Sequence, residues 1–461
     1  MLHPTEGGKF GQNIFLIIFC FLLASTWYFV PHPLFIIALS ILPIVLFVSI
    51  TQPFLVILGF IIFSFFRIHE AYPALYSLRI PQMLAIGSML IIFWHLIITK
   101  KIEMFWSREL SAFFTFFGLV TIGLLFSSNR DVAINAWSGN YVKIAVMVLA
   151  IVWLTREAKD FSLATRVFVF SGIAIGHIAL LNKYNNIGLV EGTRVTISRD
   201  IGSMLGDPND LALVLLFPAS FSLALLFVPG LNKFDRILGL VGFLVVLSAI
   251  IATQSRGGLL GIISVLGFFF LLKIRSKIVL LSLAIMGILF LFAVAGISDR
   301  ASGGAVEQGV DESAMGRVYA WGAAVKMALH NPITGVGIDN FFVNYFFYSD
   351  HWDGKNHAVH STWFGVLAET GFVGLIVFVY FVIRISKTAF RSNQLLADPS
   401  CKIMTTQPSV NVMAKATTAG LVGFVVSGTF LTQGFTWPIY ILLALIIATH
   451  RYIIISTRIA N

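Results

Sequence analysis

Apolar runs of 16 to 22 residues follow one another along most of this chain, separated by short polar connections. Each run is apolar on every face and lacks the period-two alternation of a half-buried strand. Runs of that length predict helices that cross a bilayer, not the strands of a closed barrel. The spans fall at roughly 13–30, 33–48, 51–66, 81–98, 110–126, 141–155, 165–183, 208–228, 236–253, 257–273, 277–296, 362–383, 416–431 and 436–456. Pro31-His32-Pro33 and Thr51-Gln52-Pro53 mark tight reversals between neighbouring runs. The first run carries no small-residue cleavage site, so it reads as a retained span. The expected fold is an all-α integral membrane protein with about 12–14 transmembrane helices. Its organisation is a helical part over 1–296, a loop over 297–361 and further helices over 362–461, in one membrane domain.

Within 297–361 the apolar pattern stops. The loop still contains helical periodicity: Val318, Trp321, Val325 and Leu329 recur along GRVYAWGAAVKMALHNP, and Pro332 ends that helix. Gly335 and Gly337 then allow a tight turn before a second short helix. The reading is of two amphipathic helices on the outer membrane surface; a plain connector is the alternative.

Composition supports the membrane assignment. A chain that is 58% hydrophobic and 11% charged is no water-soluble globule. Its two cysteines, Cys20 in a span and Cys401 in a polar connection, suggest no disulfide framework. The net charge of +10 raises the question of nucleic acid, and the distribution answers it. Sorted by alternate sides of the expected spans, one side holds 19 basic and 7 acidic residues, the other 12 and 14. This is the positive-inside asymmetry of a membrane protein. It places both termini in the cytoplasm, leaves membrane lipids as the partner of the basic excess, and points to no nucleic acid. The loops at 67–80, 127–140, 184–207, 254–256, 297–361 and 432–435 then face outward.

The outward loops carry the candidate chemistry. His360 stands at the mouth of a span beside Ser361 and Trp363, where a neutral imidazole accepts a proton near pH 7. His357 lies one turn earlier and His351 farther back. A polar cap and a three-histidine metal site are the alternatives, but no carboxylate or cysteine stands at a recognised metal-ligand spacing, and no metal is expected. Arg256, in TQSRGGLLG between two long spans, is costly at that depth without a permanent partner. Its fork suits phosphate, and Gly257 and Gly258 let a ligand approach; a salt bridge to Asp210 or Asp339 is the competing reading. Arg317 is a second phosphate candidate, with Arg79, Arg194 and Arg199 as further outward cations. Asp207 reads as a helix cap before Pro208. Several arginines and a base near the outer leaflet suggest a lipid substrate with a phosphate head.

SRGG at the head of a span, GRVYAWGAAVKMALHNPITGVGIDNF, and HSTWFGVLAETGFVGL resemble the O-antigen ligase and O-antigen polymerase superfamily, most densely from Thr253 to Gly374. The resemblance implies a GT-C-type glycosyltransferase of the bacterial inner membrane with a large periplasmic loop. It implies an inverting, metal-independent transfer of a glycan from undecaprenyl diphosphate, without cofactor, at a periplasmic active site. The acceptor is lipid A-core in the ligases and another lipid-linked glycan in the polymerases. By the same resemblance His360 is the catalytic base, Arg256 and Arg317 bind the diphosphate, and Arg79, Arg194, Arg199 and His357 are additional substrate-binding candidates. Glu369 would face the interior and stabilise an arginine. Many ligases read His-Asn where this chain reads His360-Ser361, which weakens the ligase reading against the polymerase. A transporter or flippase for a lipid-linked sugar is the alternative of another class. Such proteins gather ionisable groups near the midplane in two related halves, whereas here the cations collect at span ends.

Overall fold

The computed structural model describes residues 47–294, 312–398 and 407–460, apart from Ser77, Lys101 and Asp353, with scattered positions between 20 and 43. Residues 1–56 and 57–461 group as two units, and the second carries the site. The expected spans 13–30 and 33–48, Cys401 and the start of the 297–361 loop lie wholly or mainly outside the described residues. Among the described residues the regular structure is helical, with one isolated bridge between Val190 and Arg194.

Nine of these helices are long and apolar enough to cross a membrane: Ile80–Ile98, Arg108–Phe126, Arg130–Leu154, Ala158–Tyr184, Pro208–Phe227, Lys233–Thr253, Thr362–Ala397, Pro408–Gly428 and Trp437–Thr457. Pro53–Ser64, Arg256–Leu271 and Ile278–Phe290 are shorter apolar helices. The all-α membrane fold is therefore as expected, although several bounds move. The connection read at 127–140 is mostly helix, because Asn129 caps a new helix at Arg130 by accepting from Val132 N. Its polar residues imitate a loop in sequence while capping and packing decide otherwise.

The Pro208 helix forms the centre, buried along nearly all its length. Its neighbours reach it through glycines. A methyl group on Gly172 would sit 2.3 Å from Pro218, on Gly258 2.5 Å from Ala212, and on Gly261 2.4 Å from Leu216. Close backbone approach of this kind holds membrane helices together where burial in lipid gives little drive. Phe65, Phe66, Phe168, Phe217 and Phe221 fill the space beside the helix, with ring centroids 4.9–6.0 Å apart. At the basic end, buried carboxylates are answered: Arg384 and Thr388 donate to Glu109, and Arg166 donates twice to Asp235.

The Thr362 helix was expected to stop near 383. It runs to Ala397 and is broken at Gly371, which has φ 69° and ψ −171°. A side chain there would be strained, and its Cβ would lie 2.5 Å from the Pro332 carbonyl. The break leaves carbonyls open, and the 332–337 segment closes them. Val336 N donates to Ala368 O (2.9 Å), Gly337 N to Glu369 O (3.1 Å), and Phe372 N to Pro332 O (2.8 Å). The kink thus docks the loop onto the span.

Two loop helices are present, Glu312–His330 and Phe341–Tyr348. The first packs on the rest of the loop through its small residues. Ala320, Ala323, Ala324 and Met327 are buried with Val336, Phe341, Tyr345, Val359 and Ala368. Val318 and Leu329 are 54% and 62% exposed. Alanines win the inner face because small side chains allow close approach, which hydrophobicity alone does not reveal.

Candidate active site

Three helix N-termini meet at one end of the bundle, each closed by a side-chain cap, of which Asp207 is the one expected from the sequence. Asp207 accepts from Asn209 N (2.7 Å) and Asp210 N (3.3 Å). Ser255 accepts from Gly258 N (3.2 Å), and Ser361 from Phe364 N (3.5 Å). Side chains knit the three together. Ser255 Oγ and Arg194 Nη2 both donate to Asn209 Oδ1 at 2.9 Å, while Arg194 Nε donates to Thr253 O at 3.2 Å. On the other flank Gln433 Nε2 donates to Asp210 Oδ1 (2.6 Å), and its backbone N to Thr362 Oγ1 (3.2 Å). Thr362 Oγ1 in turn donates to Leu431 O (2.7 Å). The first turn of the Pro208 helix is the hub of this network. Converging N-termini present positive dipole ends, a setting favourable to an anion.

Arg256 is the first residue of its helix and is half-buried. Gly257 behind it packs on the Phe430 and Ser427 positions, so the helix start is held against the 427–433 connection. Asp210, one of its suggested partners, accepts the Gln433 amide.

His360 immediately precedes the Ser361 cap and has left-handed backbone, φ 45°. That conformation costs a non-glycine residue about 1–3 kcal/mol and persists only where its surroundings fix it. Here Val359 is buried and its carbonyl accepts from Trp321 Nε1 at 3.1 Å. The Trp321 ring stacks on Phe364, 5.1 Å away and inclined by 13°. The Glu312 helix thereby sets the turn that aims the imidazole. Burial chiefly, then the charge of Arg317, hold His360 below its ordinary value of 6.5; Asp207 opposes, and His357 and Arg194 add to the lowering. These charges share one electrostatic neighbourhood with the histidine. The result is a neutral imidazole at pH 7, in the state required of a proton acceptor.

The other candidates separate. Arg194 is 5% exposed and serves the hub through Asn209 and Thr253, while its charge still reaches His360. Arg199 is exposed at the rim and donates to Gly206 O (3.2 Å) beside Asp207. Arg79 is exposed in a left-handed turn before the Ile80 helix, and no contact found among the described residues joins it to this group. His357 meets the edge of Tyr345 at 5.3 Å, and His351 stacks on Tyr319 at 4.7 Å. Glu369 is buried as expected, but its carboxylate accepts from the backbone N of Asp339 (2.9 Å) and Phe341 (3.3 Å), capping the Phe341 helix. Gln433 was missed in the sequence. Its only signal is an amide between two apolar spans, and it is 1% exposed. Farther out, Glu70 holds Arg67 and Ser203, and its carbonyl accepts from Ser198 Oγ, bracing the loop that leads to Asp207.

Stacked apolar helices long enough to cross a bilayer define a multi-pass membrane protein, with a polar cluster at one end. Residues 241–379 match the family model described as O-Antigen ligase, which supports the resemblance of this segment to the O-antigen ligase and polymerase superfamily. The matched segment contains Arg256, Arg317, His357 and His360. No curated protein matches the chain.

Proposed function

We propose that the protein is a membrane glycosyltransferase that moves a glycan from undecaprenyl diphosphate to lipid A-core at the periplasmic face, with inversion and without metal. The observation that carries this reading is the joint placement of His360 with Arg317, Arg194 and the three capped helix starts. In the reaction the bond between the anomeric carbon and the diphosphate oxygen breaks. A bond from the acceptor hydroxyl oxygen forms on the opposite face. His360 takes the hydroxyl proton. Diphosphate leaves without protonation, and Arg256 and Arg317 neutralise the charge that grows on it. Ser361 in place of the asparagine common in ligases favours a second reading, in which another lipid-linked unit is the acceptor.

One assay tests both. Purified protein is incubated with lipid-linked glycan plus either lipid A-core or a second lipid-linked unit, and the products are sized. A product on lipid A-core supports the ligase; a ladder of lipid-linked lengths supports the polymerase; neither product removes the glycosyltransferase reading. Full activity is expected in excess chelator. Loss in chelator that a divalent ion restores would refute the metal-free mechanism.

The depressed His360 pKa has a kinetic consequence. The base works only when neutral, so activity is lost as pH falls through its pKa. A plot of log kcat/KM against pH should rise through an apparent pKa below 6.5 and be flat at pH 7. Arg317→Ala removes a charge that lowers this pKa, so the rising limb should move to higher pH. A limb unmoved by that change would mean that another group titrates.

A further inference from the structure

The basic end of the bundle holds a groove of about 460 Å³ along the outer side of the Thr362 helix, closed by Val425 of the Pro408 helix. Its lining changes character along its length. Val382, Ile383 and Val425 line one end, Phe390 stands midway, and Lys387, Arg391 and Gln394 line the other. Lys387 and Arg391 are one turn apart, so both overlook the same channel. Both are exposed, and neither has an ion pair among the described residues, where Glu109 and Asp235 are already occupied.

The dimensions match one leaflet of a bilayer. From Val382 to Gln394 the helix rises about 18 Å, at 1.5 Å per residue. From Phe372, just past the break, to Arg391 it rises about 29 Å, the thickness of the hydrocarbon layer. The two cations therefore stand at headgroup depth, with apolar groove leading from them toward the middle of the membrane. They also stand on the side where the sequence concentrates its basic residues. We propose that this groove binds one anionic phospholipid, its phosphate on Lys387 and Arg391 and an acyl chain along Val382, Ile383, Phe390 and Val425. The guanidinium fork and the ammonium supply the donors, and basic pockets between spans are a known setting for such headgroups.

The test is lipid titration of the purified full chain in neutral detergent, with retained lipids counted by native mass spectrometry. One phosphatidylglycerol should be retained at concentrations where phosphatidylcholine is not. The double substitution Lys387→Gln with Arg391→Gln should weaken that retention about tenfold or more. Ile383→Trp, which fills the groove without changing charge, should weaken it comparably. Lys233→Gln with Arg275→Gln removes two exposed cations from the same side and should leave it unchanged. Glycerol 3-phosphate, a headgroup without chains, should not compete. Equal retention by the Lys387/Arg391 variant would overturn the proposal. So would equal loss in the Lys233/Arg275 variant, which would indicate diffuse charge, or full competition by glycerol 3-phosphate, which would indicate a simple anion site.

Discussion

His360→Ala should lower turnover by about 10²- to 10⁴-fold, the usual contribution of a positioned general base. The argument starts with the backbone. His360 is left-handed, fixed by buried Val359 and by the Trp321 bond to the Val359 carbonyl. Those anchors do not involve the imidazole, so the turn should survive its removal. His360→Asn is the cleaner companion, because asparagine tolerates left-handed backbone better than alanine. Both variants should show kcat reduced with KM for the lipid-linked donor little changed, since the base acts on the acceptor in the transition state. Donor should then accumulate on the outer face of the membrane in cells carrying either variant. A flippase would behave differently: its loss would trap donor inside. Near-normal transfer by His360→Asn would exclude the imidazole as base, and inward accumulation would favour transport.

Much of this architecture was legible in the chain, and the parts that were not have physical reasons. Apolar runs announce spans because the bilayer demands them one at a time. Asp207-Pro208 announces a cap because its geometry is local, and Asp207 does cap. What depends on a distant partner was hidden. The stripe through Val318 and Leu329 marks a helix, but which residues pack inward depends on the neighbouring segment: the alanines do, while Val318 and Leu329 are exposed. Gly371 reads as one more glycine in a span; only the docking of the 332–337 segment turns it into a break. Glu369 finds backbone N–H groups where an arginine was expected. The hub bonds Gln433 to Asp210, 223 positions away, a pairing no spacing rule reports. His360, Arg317 and Arg256 stood out by contrast, because a charge or imidazole at the edge of an apolar run is conspicuous whatever surrounds it.

Arg256→Lys tests whether that conspicuous charge acts on substrate. The position is held rigidly by its helix. Ser255 caps the start and bonds Asn209, and Gly258 lies too close to Ala212 for the helix to shift. Lysine keeps the charge and suits a helix, so the fold should tolerate it. What lysine lacks is the planar fork that donates two parallel hydrogen bonds to phosphate oxygens. If Arg256 holds the diphosphate as charge builds on it, losing one such donor should cost about 10²- to 10³-fold in kcat, as for removal of a single oxyanion donor. Arg317→Lys should fall in the same direction, and the double variant should lose less than the product of the two, because both serve one leaving group. The measurement is kcat and KM on purified protein, with thermal unfolding as the control for structure. Normal turnover in Arg256→Lys, with an unfolding midpoint equal to that of the parent, would make the fork dispensable. The arginine would then belong to the helix junction through its charge alone, and the diphosphate would have to be held by Arg317 and the converging helix starts.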